Sequence, residues 1–365
     1  MRLDPINLYD YEARAKQCLP HNNWEFIEAG AMDEMTTRRN RTAFEALTLR
    51  PRFLRDINHR KLSTTVLGSE ISFPVMVCPA GGHKLAHPDG ELATARGAGK
   101  SKTLMMLSTS SHYSMEEVAD VATGPLWFQL YHRGYELTEM LVHRAEEAGF
   151  RAIVLTVDTP VPSPKERDQR NRYENPFPLG NFRATTEQMP EMSGTDEAPN
   201  WQPARVPPLT WQELEWLRGL TSLPLVLKGV RTAEDAHVAA ESGVNGILVS
   251  NHGGRQLDQT MSSIEMVPEV VAAVKGHAEV YLDSGVRRGS DVLKALALGA
   301  RAVAIGRPLY WGLAVDGADG VHGVLELLRK ELDQVMAYCG QTNVEAVEPA
   351  LVNIPNGWGP GRVAG

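Results

Sequence analysis

The chain has 365 residues, 42% of them hydrophobic and 22% charged, a composition that allows a large globular core. Its formal net charge of -8 argues against a surface that tracks nucleic-acid phosphates. The three cysteines (Cys18, Cys78, Cys339) are too far apart for a disulfide framework or a metal-ligand spacing, so they point to a reducing compartment, taken as the cytoplasm, and to no metal.

The N-terminal stretch MRLDPINLYDYEARAKQ has acidic residues early and no apolar segment, so it does not read as a secretory signal. No uninterrupted apolar run approaches a membrane span. Residues 1–60 look mainly helical and are expected to cover one end of the fold.

Eight short apolar runs follow in order: FPVMVCPA (73–80), TLMMLSTS (103–110), PLWFQLY (125–131), AIVLTVD (152–158), LPLVLKG (223–229), GILVSN (246–251), EVYLDSG (279–285) and AVAIGRP (302–308). Their near-continuous apolarity fits parallel strands buried on both faces, and most end in turn formers. Helical patterns fill the gaps. After the third run, Leu137, Met140, Leu141, Ala145 and Ala148 recur at helical spacing. TAEDAHVAAESG has an expected N-cap at Thr232 and a terminal Gly243, and SDVLKALALG is expected to repeat that design with Ser290 and Gly299. Alternating strands and helices in this number predict a single α/β domain, residues 1–365, folded as a (β/α)8 TIM barrel. An insert at 160–210 separates the fourth and fifth runs. Its stretch RATTEQMPEMSGTDEAPNWQPARVPP has no usable period and reads as a mobile lid or binding loop over the active site.

Active sites of such barrels lie at the C-terminal ends of the strands. Those ends carry Ser108, Gln129, Tyr131, Thr156, Asp158, Lys228, Ser250, His252, Asp283 and Arg307. DSGVRRGSD (283–291) and GRP (306–308) follow the seventh and eighth strands, where this fold binds phosphate. Gly285, Gly289 and Gly306 are expected to let the backbone approach a ligand, with Arg287 and Arg307 pairing with phosphate oxygens. Lys228 supplies a fixed positive charge that would stabilise a reduced flavin, and Ser108, Gln129 and Thr156 could bond its polar edge. His252 followed by Arg255 suits oxidation of a 2-hydroxy acid: the base takes the hydroxyl proton while the arginine holds the carboxylate. Asp158 is placed to orient His252.

The segments AHPDGE (86–91), FQLY (128–131), LTVDTP (155–160), LPLVLKGV (223–230), VSNHGGRQLD (249–258), LDSGVRRGSDVLKALALGA (282–300) and IGRP (305–308) resemble the FMN-dependent 2-hydroxy-acid oxidase family, which includes glycolate oxidase, lactate oxidase and mandelate dehydrogenase. The resemblance runs from about residue 5 to about residue 350 and implies FMN as cofactor. It implies flavin contacts through the backbone of Pro79, Ala80 and Gly81, ring binding by Ser108, Gln129, Thr156 and Lys228, and a ribityl contact from Ser250. Asp283, Gly285, Arg287, Gly306 and Arg307 would hold the ribityl chain and phosphate. Tyr131 and Arg255 would contact substrate, and His252 would be the base. Homo-oligomers, commonly tetramers, are also implied.

Four positions depart from the family pattern. Phe26, in WEFIEAGAMDE, stands where the family has a tyrosine that bonds the substrate carboxylate, and phenylalanine cannot make that bond. Lys165, in PKERD, replaces a second carboxylate-binding arginine and lacks its bidentate fork. Ser110 takes the place of an aromatic residue, with His112 and Tyr113 beside it, and Gly81 stands where alanine is frequent. The expected reaction is oxidation of a small 2-hydroxy acid, the reduced flavin passing electrons to O2 or another acceptor. Oxidase, dehydrogenase and monooxygenase outcomes stay open, as does an altered substrate such as an amine or amino acid. Two other classes are an FMN-dependent isomerase and a flavin-binding scaffold without turnover. The intact His252–Arg255 segment disfavours the first, and retention of Lys228, His252 and Asp158 disfavours the second.

Overall fold

In a computed structural model of the chain, residues 4–183 and 209–359 are described. Eight parallel strands form a closed barrel: β1 (Val75–Val77), β2 (Met105–Ser108), β3 (Leu126–Leu130), β4 (Ile153–Thr156), β5 (Leu225–Lys228), β6 (Gly246–Val249), β7 (Glu279–Leu282) and β8 (Ala302–Ile305). Each pairs with its neighbour in sequence, and β8 closes on β1 with Val303 opposite Val75. All eight expected strands are present.

Alternation along the strands separates two apolar clusters. Met76, Met106, Trp127, Val154, Val226, Leu248, Tyr281 and Ala304 point inward and fill the barrel. Their neighbours Val77, Leu107, Phe128, Leu155, Leu227, Val249, Leu282 and Ile305 point outward beneath the helices. A hairpin, Thr64–Val66 with Ser69–Ile71, adds Val66 and Ile71 to the interior cluster. Its Leu67 amide donates to Glu279 at the start of β7, so the hairpin stoppers the N-terminal end of the barrel.

Three helices precede the barrel: α1 (Leu8–Cys18), α2 (His21–Glu28) and α3 (Met35–Ala46). The helical reading of 1–60 is therefore too long, because no helix occupies 50–60. The Asn7 side chain accepts from the Asp10 amide and starts α1. α3 has no capping side chain of its own. Asp258 reaches across instead, accepting from the Met35 and Thr36 amides at 3.2 and 2.8 Å.

The outer helices are α4 (Gly90–Lys100), α5 (Met115–Val121), α6 (Tyr135–Glu147), the short α7 (Glu166–Arg170), α8 (Trp211–Leu220), α9 (Ala233–Glu241), α10 (Ser263–Val274), α11 (Gly289–Ala297) and α12 (Arg307–Tyr338). Thr232 caps α9 as expected, accepting from the Asp235 amide. Ser290 does not cap α11. That helix begins at Gly289, and Asp291 accepts from the Arg287 and Arg288 amides in its place. Within the insert, α7 and a 3-10 turn at Gly180–Phe182 are ordered elements, while the rest of RATTEQMPEMSGTDEAPNWQPARVPP beyond Arg183 lies outside the described residues.

Candidate active site

The same alternation that fills the barrel places the site. One step beyond the inward apolar residues, at i+2 on each strand, stand Cys78, Ser108, Gln129, Thr156, Lys228, Ser250, Asp283 and Gly306. The interior thus changes from hydrocarbon to polar groups in one layer at the C-terminal mouth. Cys78 belongs to this layer and was missed in the sequence, although its spacing from Met76 on β1 gives it away. Its thiol donates to Asp283 Oδ2 at 3.3 Å, and burial pushes its pKa up.

Thr156, Gln129 and Ser108 form a chain across β4, β3 and β2. Gln129 Nε2 donates to Thr156 Oγ1 at 2.9 Å, and its Oε1 accepts from Ser108 Oγ at 3.1 Å. The strand register sets this chain, with Ser108 opposite Gln129. Lys228, only 2% exposed, donates to Ser250 Oγ at 3.0 Å and lies 3.7 Å from Asp283. Burial disfavours its charge, but Asp283 and then Asp158 outweigh burial and raise its pKa. A permanent cation therefore sits in the mouth.

His252 and Asp158 meet above this layer, Nδ1 to Oδ1, at 3.0 Å. Burial favours protonation of Asp158, yet the charges of His252 and Lys228 overcome it and hold its pKa at about 2. Burial and then the Lys228 charge push the His252 pKa below 6.5, with Asp158 opposing them. Lys228 keeps its charge throughout, so the pair rests as a carboxylate and a neutral imidazole. With Nδ1 turned to the carboxylate, Nε2 holds a free lone pair. His252 has φ of 57°, unusual for a residue with a side chain. Its amide donates to Ser250 Oγ and the next amide, of Gly253, to Ser284 Oγ, both at 3.0 Å, so the bend is held from two strands. Tyr131 shares the cavity: burial raises its pKa, and the Lys228 and Asp158 charges act on it in opposite directions.

At the other side of the mouth, Gly306 precedes α12, and a Cβ placed there would meet nothing within 4 Å. This open cradle at a helix N-terminus fits an anion. Gly285 and Gly289 have a different reason to be glycine. A Cβ on Gly285 would overlap the Asn40 carbonyl, and one on Gly289 the backbone at Glu331 and Leu332, so the protein packed against both requires glycine there. Arg287 lies 4.8 Å over the Trp311 ring, and burial lowers its pKa. Arg307 donates to the carbonyls of Gly253 (2.9 Å), Ala29 (3.1 Å), Glu28 (3.3 Å) and Ile27 (3.3 Å), and burial brings its pKa to about 10. Arg255 Nη1 likewise donates to the carbonyls of Phe26, Ile27 and Ala29 at 2.8, 3.1 and 2.7 Å. Two arginines from the barrel loops thus cap the C-terminus of α2.

A buried lysine, an amide–hydroxyl chain and an open helix N-terminus around one mouth fit a flavin mononucleotide. A sequence profile described as FMN-dependent dehydrogenase matches residues 15–354. The chain belongs to the FMN-dependent dehydrogenase family. L-lactate oxidase from Nostoc sp. is 46% identical over 96% of this chain and 98% of that protein. 2-Hydroxyacid oxidase 1 from Homo sapiens is 45% identical over 95% of this chain and 96% of that protein. A crystal structure of mandelate oxidase with (S)-4-hydroxymandelic acid superposes with a TM-score of 0.88, at 41% identity, covering 96% of this chain and 98% of that one. The chain is an FMN-dependent oxidoreductase of the 2-hydroxy-acid oxidase type.

The departures seen in the sequence of this FMN-dependent dehydrogenase form two groups, Phe26 with Lys165 and Gly81 with Ser110. The Phe26 ring has Lys165 Nζ 5.2 Å and the Arg255 guanidinium 5.1 Å from its centroid. Its face stacks on Tyr173 with centroids 4.3 Å apart. Lys165 also pairs with Asp168 at 3.2 Å. Beside Gly81, a Cβ would stand 2.9 Å from the Ser110 carbonyl, and the Tyr310 hydroxyl donates to the Gly81 carbonyl. Pro79 and Ala80 precede this contact in the loop after β1. His112 is buried, with Nε2 facing the Asn175 side chain at 3.2 Å and Nδ1 accepting from the Lys84 amide at 3.3 Å.

Proposed function

We propose that this chain oxidises a small 2-hydroxy acid to the 2-oxo acid, with O2 or another acceptor taking up the electrons. The observation that carries this reading is a neutral His252 oriented by an ionised Asp158 beside the buried Lys228. Lys228, Ser108, Gln129 and Thr156 would hold the FMN ring, with backbone from Pro79 to Gly81. Ser250, Asp283, Arg287, Gly306 and Arg307 would serve the ribityl chain and phosphate, and Gly285 would do so through backbone alone. FMN, when bound, supplies the acceptor for the electron pair leaving the substrate's α-carbon.

The protein's part is to place and deprotonate. His252 Nε2 takes the hydroxyl proton, and Asp158 stabilises the imidazolium that results. Arg255, Lys165 and Tyr131 would fix the carboxylate and hydroxyl so that the α-hydrogen has one orientation. Phe26 contributes an apolar face and no hydrogen bond. Among the described residues no helix is long and apolar enough to cross a membrane, and Cys18, Cys78 and Cys339 are unpaired.

Anaerobic mixing of the FMN-loaded protein with lactate, mandelate, glycolate and their amino-acid counterparts tests the reading. Bleaching of the flavin by a hydroxy acid, with release of the 2-oxo acid, supports it. Bleaching by an amino compound alone would replace it with an amine oxidation.

A further inference from the structure

Tyr173 is the one tyrosine among the described residues whose buried hydroxyl has no hydrogen-bond partner. Such a group costs free energy unless something else satisfies it. Its position is not loose. The Tyr173 amide donates to the Asp168 carbonyl at 2.9 Å, and the ring lies nearly parallel to Phe26, at 18°. The segment carrying it is fastened to α2 and the loop after it: Arg167 pairs with Glu34 at 2.6 Å and Glu25 at 3.5 Å, and the Met32 amide donates to the Pro164 carbonyl. The phenol is therefore held in place with nothing bonded to its hydroxyl, and Asp168 Oδ1, whose charge acts on it, is likewise buried without a partner.

The surroundings define the acceptor. Lys165 and Arg255 flank the same Phe26 ring on which Tyr173 stacks. Burial and then Asp168 raise the Tyr173 pKa against the Arg255 charge, so the phenol keeps its proton and offers it as a donor. A neutral donor beside two cations suits an anionic oxygen better than a neutral one.

We propose that Tyr173 is a substrate-binding residue whose hydroxyl donates to the carboxylate of the substrate, on the wall formed with Lys165 and Arg255. The hydroxyl that Phe26 cannot provide is thus supplied from the stacked ring next to it. The proposal rests on the reading that the substrate is a carboxylate, and it is tested by binding, separately from turnover.

The test titrates the FMN-loaded protein with pyruvate and phenylglyoxylate, a small and an aromatic 2-oxo acid, and follows the flavin absorbance. Tyr173→Phe keeps the ring and its stacking, so flavin content and thermal midpoint should match the parent. The Kd of the 2-oxo acid should rise about ten- to a hundredfold, the loss expected for one hydrogen bond to a charged group. With a substrate that bleaches the flavin, KM should rise while the reduction rate at saturation stays within about twofold. Phe26→Tyr added to Tyr173→Phe should recover part of the affinity. Unchanged Kd in Tyr173→Phe, or no binding of either acid to the parent protein, overturns the proposal. A parent that binds these acids through Tyr173 but is bleached by no hydroxy acid would uphold it and remove the proposed reaction.

Discussion

Nδ1 of His252 and Oδ1 of Asp158 lie 3.0 Å apart, joining the loop after β6 to the end of β4. This contact fixes which imidazole nitrogen faces the substrate, and it sets two opposing effects on the base. Burial and then Lys228 lower the His252 pKa, and Asp158 opposes them without reversing the shift.

Replacing His252 with Ala should slow flavin reduction by about 10²- to 10⁴-fold while leaving FMN bound. In the parent protein, kcat/KM should rise with pH along an acid limb whose apparent pKa lies below 6.5, since the base must be neutral and its pKa is lowered. Asp158→Asn removes the group that raises that pKa, so the limb should move to still lower pH as the rate falls. An acid limb that moves upward instead would separate Asp158 from His252.

Two glycines should respond differently to alanine. Gly306 faces open space, so Gly306→Ala should leave the apo protein's unfolding midpoint nearly unchanged and weaken FMN binding by crowding the anion cradle. Gly285 has φ of 92° and abuts Asn40, so Gly285→Ala should destabilise the apo protein by about 2 kcal/mol or more. Denaturant unfolding and FMN titration of both variants would decide, and equal losses of stability would contradict the assignment.

Gly81→Ala would bring a methyl to 2.9 Å from the Ser110 carbonyl. Because the obstacle is backbone, Ser110→Gly should not relieve it. The expected cost is about 1–3 kcal/mol, with altered O2 reactivity as the Tyr310–Gly81 contact shifts. A Gly81→Ala protein as stable as its parent would mean that the loop after β2 yields freely.

Arg255→Met should weaken carboxylate binding and also lower stability by about 1–3 kcal/mol, because the Phe26 carbonyl loses this donor and those of Ile27 and Ala29 keep only Arg307. Unfolding midpoints of the FMN-free proteins isolate the second effect. Loss of substrate binding with no loss of stability would leave α2 independent of Arg255.

The barrel was legible because strands buried on both faces leave continuous apolar runs, and the polar residue that ends each run is the one that enters the mouth. Thr156, Lys228 and Asp283 all follow this rule. Cys78 follows it too, but a thiol at the end of VMVC reads as one more apolar residue. The sequence was silent on contacts between distant segments. Asp258 capping α3, Arg307 and Arg255 holding α2, and Asp291 rather than Ser290 starting α11 all depend on tertiary approach. The packing at Gly285 and Gly289 was hidden for the same reason: their neighbours are Asn40 and Glu331, far away in the chain. Tyr173 carried no signal, since its meaning lies in what its hydroxyl fails to touch.

The carbonyls of residues 26–29 receive Arg255, from the loop after β6, and Arg307, from the start of α12 after β8. The leading helices are therefore a fitted part of the catalytic end, not a detachable cover. A chimera that kept the barrel and exchanged the first 34 residues would have to reproduce those four carbonyls in space, whatever side chains it carried, or release two guanidinium groups into the chamber where the cofactor and substrate must sit.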